Sequence, residues 1–317
     1  MRSCATSADG GEIAPERAEP QTPGPGTEIA VAREWERIDA SLLGGLIMVV
    51  GGADAGKTTF ARWLYRRSAE ASPGPAAFLD GDPGQGVFGP PATVTLAAAV
   101  PGDGRFPPGG PWRRMFVGAV TPRGHMLRHL VAVARLVEAA RRDALAPVIY
   151  DTSGLVDPRA GGLALKLAKI DLLQPDLVVA IRRDGELEPL LRVLRRRRRP
   201  RLIELPCSPC VRRRDPVARR QYRNESFARY FSGARAVELD AARLSLVPRH
   251  APRFNQLVAL EDMQGFTLAL GIVVAMRPLL RLLTPLQAAG EVDNLRLGDL
   301  VLDPETFAHR RILRSEP

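Results

Sequence analysis

Residues 46–50 (LIMVV) form a short apolar run that leads straight into glycines. A run of that length, bounded by turn residues, predicts a buried strand. A helix is expected over 58–67. Further strands are expected at 76–79, 93–96, 114–118, 147–151, 176–181 and 201–205. Between them, Leu127, Leu130, Val131, Ala134 and Val137 mark one helical stripe, and 162–173, 186–198 and 214–231 read as helices. Repeated strand–helix units with continuous apolar strands predict an α/β fold: a P-loop-type parallel sheet with helices on both faces. After about residue 235 the pattern shifts to apolar runs at 256–260, 267–275 and 295–302, which predict a small, mostly β C-terminal domain. Residues 1–32 are rich in Pro, Gly, Glu, Ala and Thr without a sustained period and are expected to be a disordered tail. The expected division is therefore 1–32, an α/β domain over 33–234, and 235–317.

Composition adds bounds. Apolar residues make up 45% and charged residues 25% of the 317 positions, the balance of a soluble globular chain. The longest apolar run, 266–276, is far short of the roughly 20 residues that span a bilayer. No basic patch precedes an apolar stretch at the N-terminus, so a cytoplasmic protein with no membrane partner is expected. Net charge is +10, and almost all of it is arginine; the only lysines are Lys57, Lys166 and Lys169. That bias fits either a high-GC coding sequence or a polyanionic partner. Cys207 and Cys210 have the spacing of half a zinc knuckle, but no second CxxC or His pair accompanies them, and two ordinary thiols are expected.

The most specific motif is Gly51-Gly52-Ala53-Asp54-Ala55-Gly56-Lys57-Thr58, followed by Thr59. It matches G-x-x-x-x-G-K-[ST], after a predicted strand and at the start of a predicted helix. Glycines let backbone N–H groups turn toward phosphates, and the helix N-terminus adds partial positive charge. Lys57 is expected to neutralise the β and γ oxygens of ATP or GTP, and the Thr58 hydroxyl to ligate Mg²⁺.

A phosphate loop does not name a reaction, so the carboxylates matter. Asp151 ends an apolar strand, where it can hold Mg²⁺ directly or through water, or cap the next helix. Asp82 lies in an Asp-Pro-Gly turn, where it can take a proton from an attacking hydroxyl or simply shape the turn. Thr121, Arg123 and His125 open a helix on the same sheet edge; they can bind an acceptor's terminal phosphates or cap that helix. The run Arg195 to Arg199 can face a nucleic acid or be a solvated, dipole-compensating helix end. Aromatics are sparse, and only Trp112, Phe88 and Tyr222 lie in segments able to reach a base.

These pieces together resemble a known family. Residues 79–86 (LDGDPGQG), then Gly89-Pro90-Pro91 and Val94-Thr95-Leu96, are similar to the block after the second strand of polynucleotide 5′-hydroxyl kinases. That family includes the RNA kinase of the pre-mRNA 3′-end cleavage complex and the nucleolar rRNA-processing kinase. The P-loop with its acid at Asp54, Val117-Gly118, Thr121-Pro122-Arg123-Gly124-His125, the 151–154 turn and Arg219-Arg220-Gln221-Tyr222-Arg223 also resemble it, in consistent order over about 40–232. The resemblance implies transfer of a γ-phosphate from ATP or GTP, with Mg²⁺, to the 5′-OH of RNA and possibly DNA. It implies Asp82 as general base and Gln85 near the phosphates and metal. It also implies Arg220 and Arg223, with Arg219 as register alternative, on a lid over the triphosphate. Leu155 stands where eukaryotic members carry a tryptophan, and no β domain precedes the P-loop, so the chain looks closer to short archaeal and bacterial forms. Two other outcomes stay open: a P-loop kinase of a small acceptor or plain NTPase, and a nucleotide-gated RNA-binding or assembly protein without catalysis.

Overall fold

A single helical turn, α1 (Arg33–Glu36), packs Trp35 against Phe60 and Trp63 ahead of β1 (Leu46–Gly51), whose six residues are all buried. The chain continues through α2 (Lys57–Ala71), β2 (Ala77–Gly81), β3 (Thr93–Ala98), β4 (Trp112–Phe116) and α3 (Met126–Arg142). Next come β5 (Val148–Thr152), α4 (Gly162–Leu173), β6 (Leu177–Arg182), α5 (Glu188–Leu194), β7 (Arg201–Pro206) and α6 (Pro216–Tyr230). The last segment holds β8 (Arg235–Leu239), β9 (Ser245–Val247), β10 (Gln256–Glu261), β11 (Thr267–Ala275), β12 (Leu280–Thr284), β13 (Asn294–Leu302) and β14 (His309–Arg311). The computed structural model describes residues 32–39, 42–72, 74–209, 211, 213–240, 244–277, 279–287 and 290–312. The expected tail and Cys210 lie outside the described residues.

The first sheet has the order β4-β3-β2-β5-β1-β6-β7. The five strands from β2 to β7 in that order run parallel. Successive side chains of a strand point to opposite faces, and β1 shows the consequence. Met48 and Val50 join Leu136, Val137, Ile170 and Leu191 from α3, α4 and α5 on one face. Ile47 and Val49 join Phe60, Leu64 and Tyr65 of α2 on the other. The sheet differs from a wholly parallel one at its edge, where β3 and β4 are antiparallel. The physical reason is the connection: residues 82–92 form no helix, and without a crossover helix a strand returns beside its neighbour in the opposite sense.

The second sheet, among the described residues, has the order β14-β13-β10-β11-β12-β8, with β9 beside β13. Its pairings are antiparallel apart from β9 with β13. One cluster joins the two sheets: Phe116 at the end of β4 meets Leu257, Leu270, Ile272 and Leu300, with Phe227 from α6 and Phe231 just after it. α6 starts cleanly because Asp215 caps it, accepting the Ala218 N–H at 2.6 Å, and Pro216 occupies the first turn. Its buried residues, Ser226 and Phe227, lie in its C-terminal half, so that end docks on the second sheet while the N-terminal half meets the P-loop through Arg219.

No helix among the described residues is long and apolar enough to cross a membrane. Phe227 is fully buried at the junction of α6 and both sheets. Phe227→Ala is expected to cost about 3–5 kcal/mol of stability, read as a lower midpoint in denaturant unfolding. Exposed Leu127→Ala is expected to leave the midpoint unchanged.

Candidate active site

The P-loop follows β1 at the carboxyl edge of the parallel sheet, where ligands of open α/β sheets bind. Gly56 takes φ +86° as the N-cap of α2, a conformation that glycine adopts without steric cost. Lys57 is buried and donates from Nζ to the Gly52 carbonyl at 2.6 Å. Burial pushes its pKa down, against the pull of Asp151, Asp82, Asp54 and Glu186. Ala53 and Thr59 are exposed at the mouth of the loop, and Ala55 packs into the core.

Asp151 ends β5, as expected, and its Oδ2 accepts from the Thr58 hydroxyl at 2.6 Å. Its Oδ1 is buried with no hydrogen-bond partner. A buried, unpartnered carboxylate oxygen beside a hydroxyl is a set of hard oxygen donors, and this fits Mg²⁺. Strand register places Asp80 beside Asp151. Burial, and then the Asp151 charge, push Asp80 up to about 8, although it accepts N–H bonds from Val87 (2.6 Å) and Phe88 (3.3 Å). Asp151 itself rises to about 6 through burial, opposed by Lys57. Asp82 does shape its turn: Oδ1 accepts the Gly84 and Gln85 N–H groups at 2.9 and 3.0 Å. Oδ2 takes no part in those two bonds. The Asp82 charge also acts on Lys57, Lys166, Lys169 and Arg223, so it sits amid the site's cations.

α6 closes one side. Arg219 pairs with Asp54 of the P-loop at 2.5 Å, and the Arg214 N–H donates to the same carboxylate at 3.0 Å. The Asp82 turn is held by the same helix: Gln85 Nε2 donates to the Arg219 carbonyl (3.3 Å), and the Tyr222 hydroxyl donates to the Gly86 carbonyl (2.5 Å). Gln85 therefore faces the N-terminal end of α6 and the residues before it, with Oε1 accepting from Arg214 at 3.3 Å. Arg220 is exposed, and Arg223 is half-buried and donates from Nε to His309 at 3.1 Å.

Several contributors were not singled out from the sequence. Lys166 donates to Thr152 Oγ1 (3.0 Å) and the Ser153 carbonyl (2.7 Å), and so holds the turn after Asp151. Burial lowers its pKa to about 7. Lys169 donates to the Tyr150 hydroxyl at 2.6 Å, and burial pushes its pKa well down. Arg183 donates to the Asp54 carbonyl at 2.7 Å and to Cys207 Sγ at 3.0 Å. One signal was available: a chain rich in arginine keeps lysine at three positions only, and all three are buried.

Other candidates land less centrally. Thr121 Oγ1 accepts the Arg123 N–H at 3.3 Å, and Arg123 pairs with Asp157 at 3.4 Å while staying largely exposed. His125 is the N-cap residue of α3, mostly enclosed, 3.4 Å from Asp299 of β13. The arginine run follows α5 and enters β7 at its N-terminal end, so it lies a strand length, roughly 20 Å, from the P-loop edge. Arg195 is held by Glu188 and Glu204, and Arg197 by Asp171. Phe88 is core, packed on Phe78 and Trp112, and cannot stack on a base. Gly154 packs directly on the P-loop: a Cβ there would stand 2.7 Å from Ala53 Cα and 2.9 Å from Ala53 N. Gly154→Ala is expected to push the P-loop out of place and weaken nucleotide binding by about tenfold or more in a titration with a fluorescent ATP analogue. Its unfolding midpoint should stay near wild type.

Comparison with known proteins agrees with this geometry. The chain is 30% identical over 203 residues to a polyribonucleotide 5′-hydroxyl-kinase of Pyrococcus horikoshii, covering 64% of this chain and 54% of that one. It is 33% identical over 192 residues to the enzyme of the same name from Pyrococcus furiosus (60% and 52%), and 33% over 211 residues to that of Thermococcus kodakarensis (63% and 55%). The chain thus spans about half the length of the curated relatives it matches. A solved Clp1p–Pcf11p complex superposes with a TM-score of 0.61 at 16% identity, over 81% of this chain and 74% of that one, which shows a shared fold. Residues 51–233, from the P-loop past the end of α6, match the family of the mRNA cleavage and polyadenylation factor CLP1 P-loop. With more than half of its length inside that match, the chain belongs to the CLP1 P-loop family.

Proposed function

We propose that this chain is a polynucleotide 5′-hydroxyl kinase, transferring the γ-phosphoryl group of ATP or GTP to the 5′-OH of RNA, with DNA ends as a second acceptor. The observation that carries this is the reach of α6. One helix is bonded both to the donor loop, through Arg219 and Asp54, and to the turn bearing Asp82, through Tyr222 and Gly86. A nucleotide binder needs the first contact; a phosphoryl-transfer enzyme needs both. The relatives' name, polyribonucleotide 5′-hydroxyl-kinase, supports RNA as the acceptor.

In this mechanism the P-loop N–H groups and Lys57 cradle the β and γ phosphates. Thr58 and Asp151 would hold Mg²⁺, which supplies charge neutralisation on the same phosphates. Asp82 Oδ2 takes the proton of the acceptor hydroxyl. The acceptor oxygen bonds to the γ phosphorus as the bond to the β–γ bridging oxygen breaks, and the nucleoside diphosphate leaves. Arg220 and Arg223 stabilise charge on the group in transit. Such chemistry is mostly positioning and charge neutralisation. Thr121 and Arg123 stay in the proposal as contacts for the acceptor's first phosphate, since both remain accessible near the same edge.

Two substitutions test the roles by 5′-labelling of a 5′-OH oligoribonucleotide. Asp82→Asn keeps an oxygen for the Gly84 and Gln85 N–H groups but cannot take the proton. It should lower transfer by about 10²–10⁴-fold with nucleotide affinity retained; transfer at the wild-type rate would reduce Asp82 to a turn residue. Lys57→Ala should abolish transfer and weaken nucleotide binding together, and persistent transfer would contradict the donor site.

A further inference from the structure

His309 lies on β14, the last strand of the second sheet, yet both of its ring nitrogens bond to α6. Arg223 Nε donates to His309 Nε2 at 3.1 Å, and His309 Nδ1 donates to Asn224 Oδ1 at 2.8 Å. The two bonds fix one neutral tautomer, because an acceptor is needed at Nε2 and a donor at Nδ1. Burial, then Arg223 and Arg220, hold the ring neutral by lowering its pKa to about 4. Below that ring, Phe227 packs against it with centroids 5.9 Å apart, and Phe231 stacks on Phe307 at 5.9 Å. The Tyr230 hydroxyl accepts the Leu270 N–H at 2.8 Å. The C-terminal half of α6 is thus fastened to the second sheet, and His309 is the foremost polar fastening.

Arg223 is the residue this arrangement serves. Its bond uses Nε, which leaves both terminal nitrogens to engage an anion. Its chain neighbour Tyr222 bonds to Gly86 of the Asp82 turn, and the charge of Asp82 acts on the Arg223 guanidinium. A free arginine samples many rotamers, and an arginine held at Nε loses less freedom when it meets its phosphoryl group.

We infer that His309 is a positioning residue for Arg223, and that the second sheet sets the aim of the lid arginine through the bonds from His309 to Arg223 and Asn224. The inference rests on the proposed kinase reading for its activity test, but not for its structural one. In full-length protein, His309→Leu should lower kcat for 5′-OH transfer by about tenfold or more, a fraction of an arginine's usual 10³–10⁵, with KM for nucleotide little changed. His309→Gln keeps one acceptor and one donor and should restore most of the rate. In an Arg223→Ala background, His309→Leu should change kcat by less than about twofold. Losses that multiply, or a His309→Leu enzyme with wild-type kcat, would overturn the inference.

Limited trypsin cleavage with ATP and Mg²⁺ separates the two claims. Cleavage after the arginines of 219–223 should be faster in His309→Leu than in wild type, with His309→Gln like wild type. Equal rates in all three would overturn the positioning role, whether or not the wild type transfers phosphate. A wild type without transfer would instead overturn the kinase reading.

Discussion

A set of ionisable side chains buried at the carboxyl edge of one sheet is the constraint on which the rest depends. Lys57, Lys166 and Lys169 are almost completely enclosed, together with Asp80 and Asp151. Removing charges from water is costly, and it is tolerated only where partners and hydrogen bonds compensate. Each group accordingly has a dedicated partner: Gly52 for Lys57, the 152–153 turn for Lys166, Tyr150 for Lys169, and the Val87 and Phe88 amides for Asp80. Asp151 Oδ1 is the exception, with no partner of its own. That oxygen belongs to the residue whose other oxygen accepts from the Thr58 hydroxyl. In such surroundings a carboxylate or an arginine acts on a phosphate more strongly than it would in water.

The second consequence concerns the second sheet. Its core is continuous with the base of α6 through Phe227, Phe231 and Leu257. The polar half of that helix meets the P-loop at Asp54 and the Asp82 turn at Gly86. The arginines of the helix divide by position: Arg219 pairs with Asp54 of the loop, Arg223 bonds to His309 of the second sheet, and Arg220 stays exposed.

Much of this was legible in the sequence where the signal is local. Apolar runs ending in glycine or aspartate located β1 and β5, and the Gly-Lys-Thr spacing located the nucleotide loop. Asp215 followed by Pro216 explains why the arginine-rich helix begins where it does. What escaped depends on distant partners. Lys166 and Lys169 sit three apart among Leu165, Ile170 and Leu173, and only the sheet beneath them turns that apolar stripe into a polar bracket. The expected helix over 186–198 stops at Leu194, because Arg195 turns to Glu188 and Glu204 and the chain enters β7. His309 pairs with a residue 86 positions away, and no neighbouring residue marks it. β8 and β12 were missed because charged residues, Arg235 and Glu238 in β8 and Arg281 in β12, interrupt their short apolar patterns.

The central claim is that the site's acceptor is a polynucleotide 5′-hydroxyl, and the identity of the labelled product tests it most directly. The full chain would be incubated with γ-labelled ATP or GTP, Mg²⁺ and a matched panel: single- and double-stranded RNA and DNA with 5′-OH ends, and the same oligonucleotides with 5′-phosphate ends. The account predicts label on 5′-OH RNA and none on the 5′-phosphate controls. Label released only as free phosphate at a rate indifferent to the oligonucleotide, or carried by a small metabolite, would contradict it.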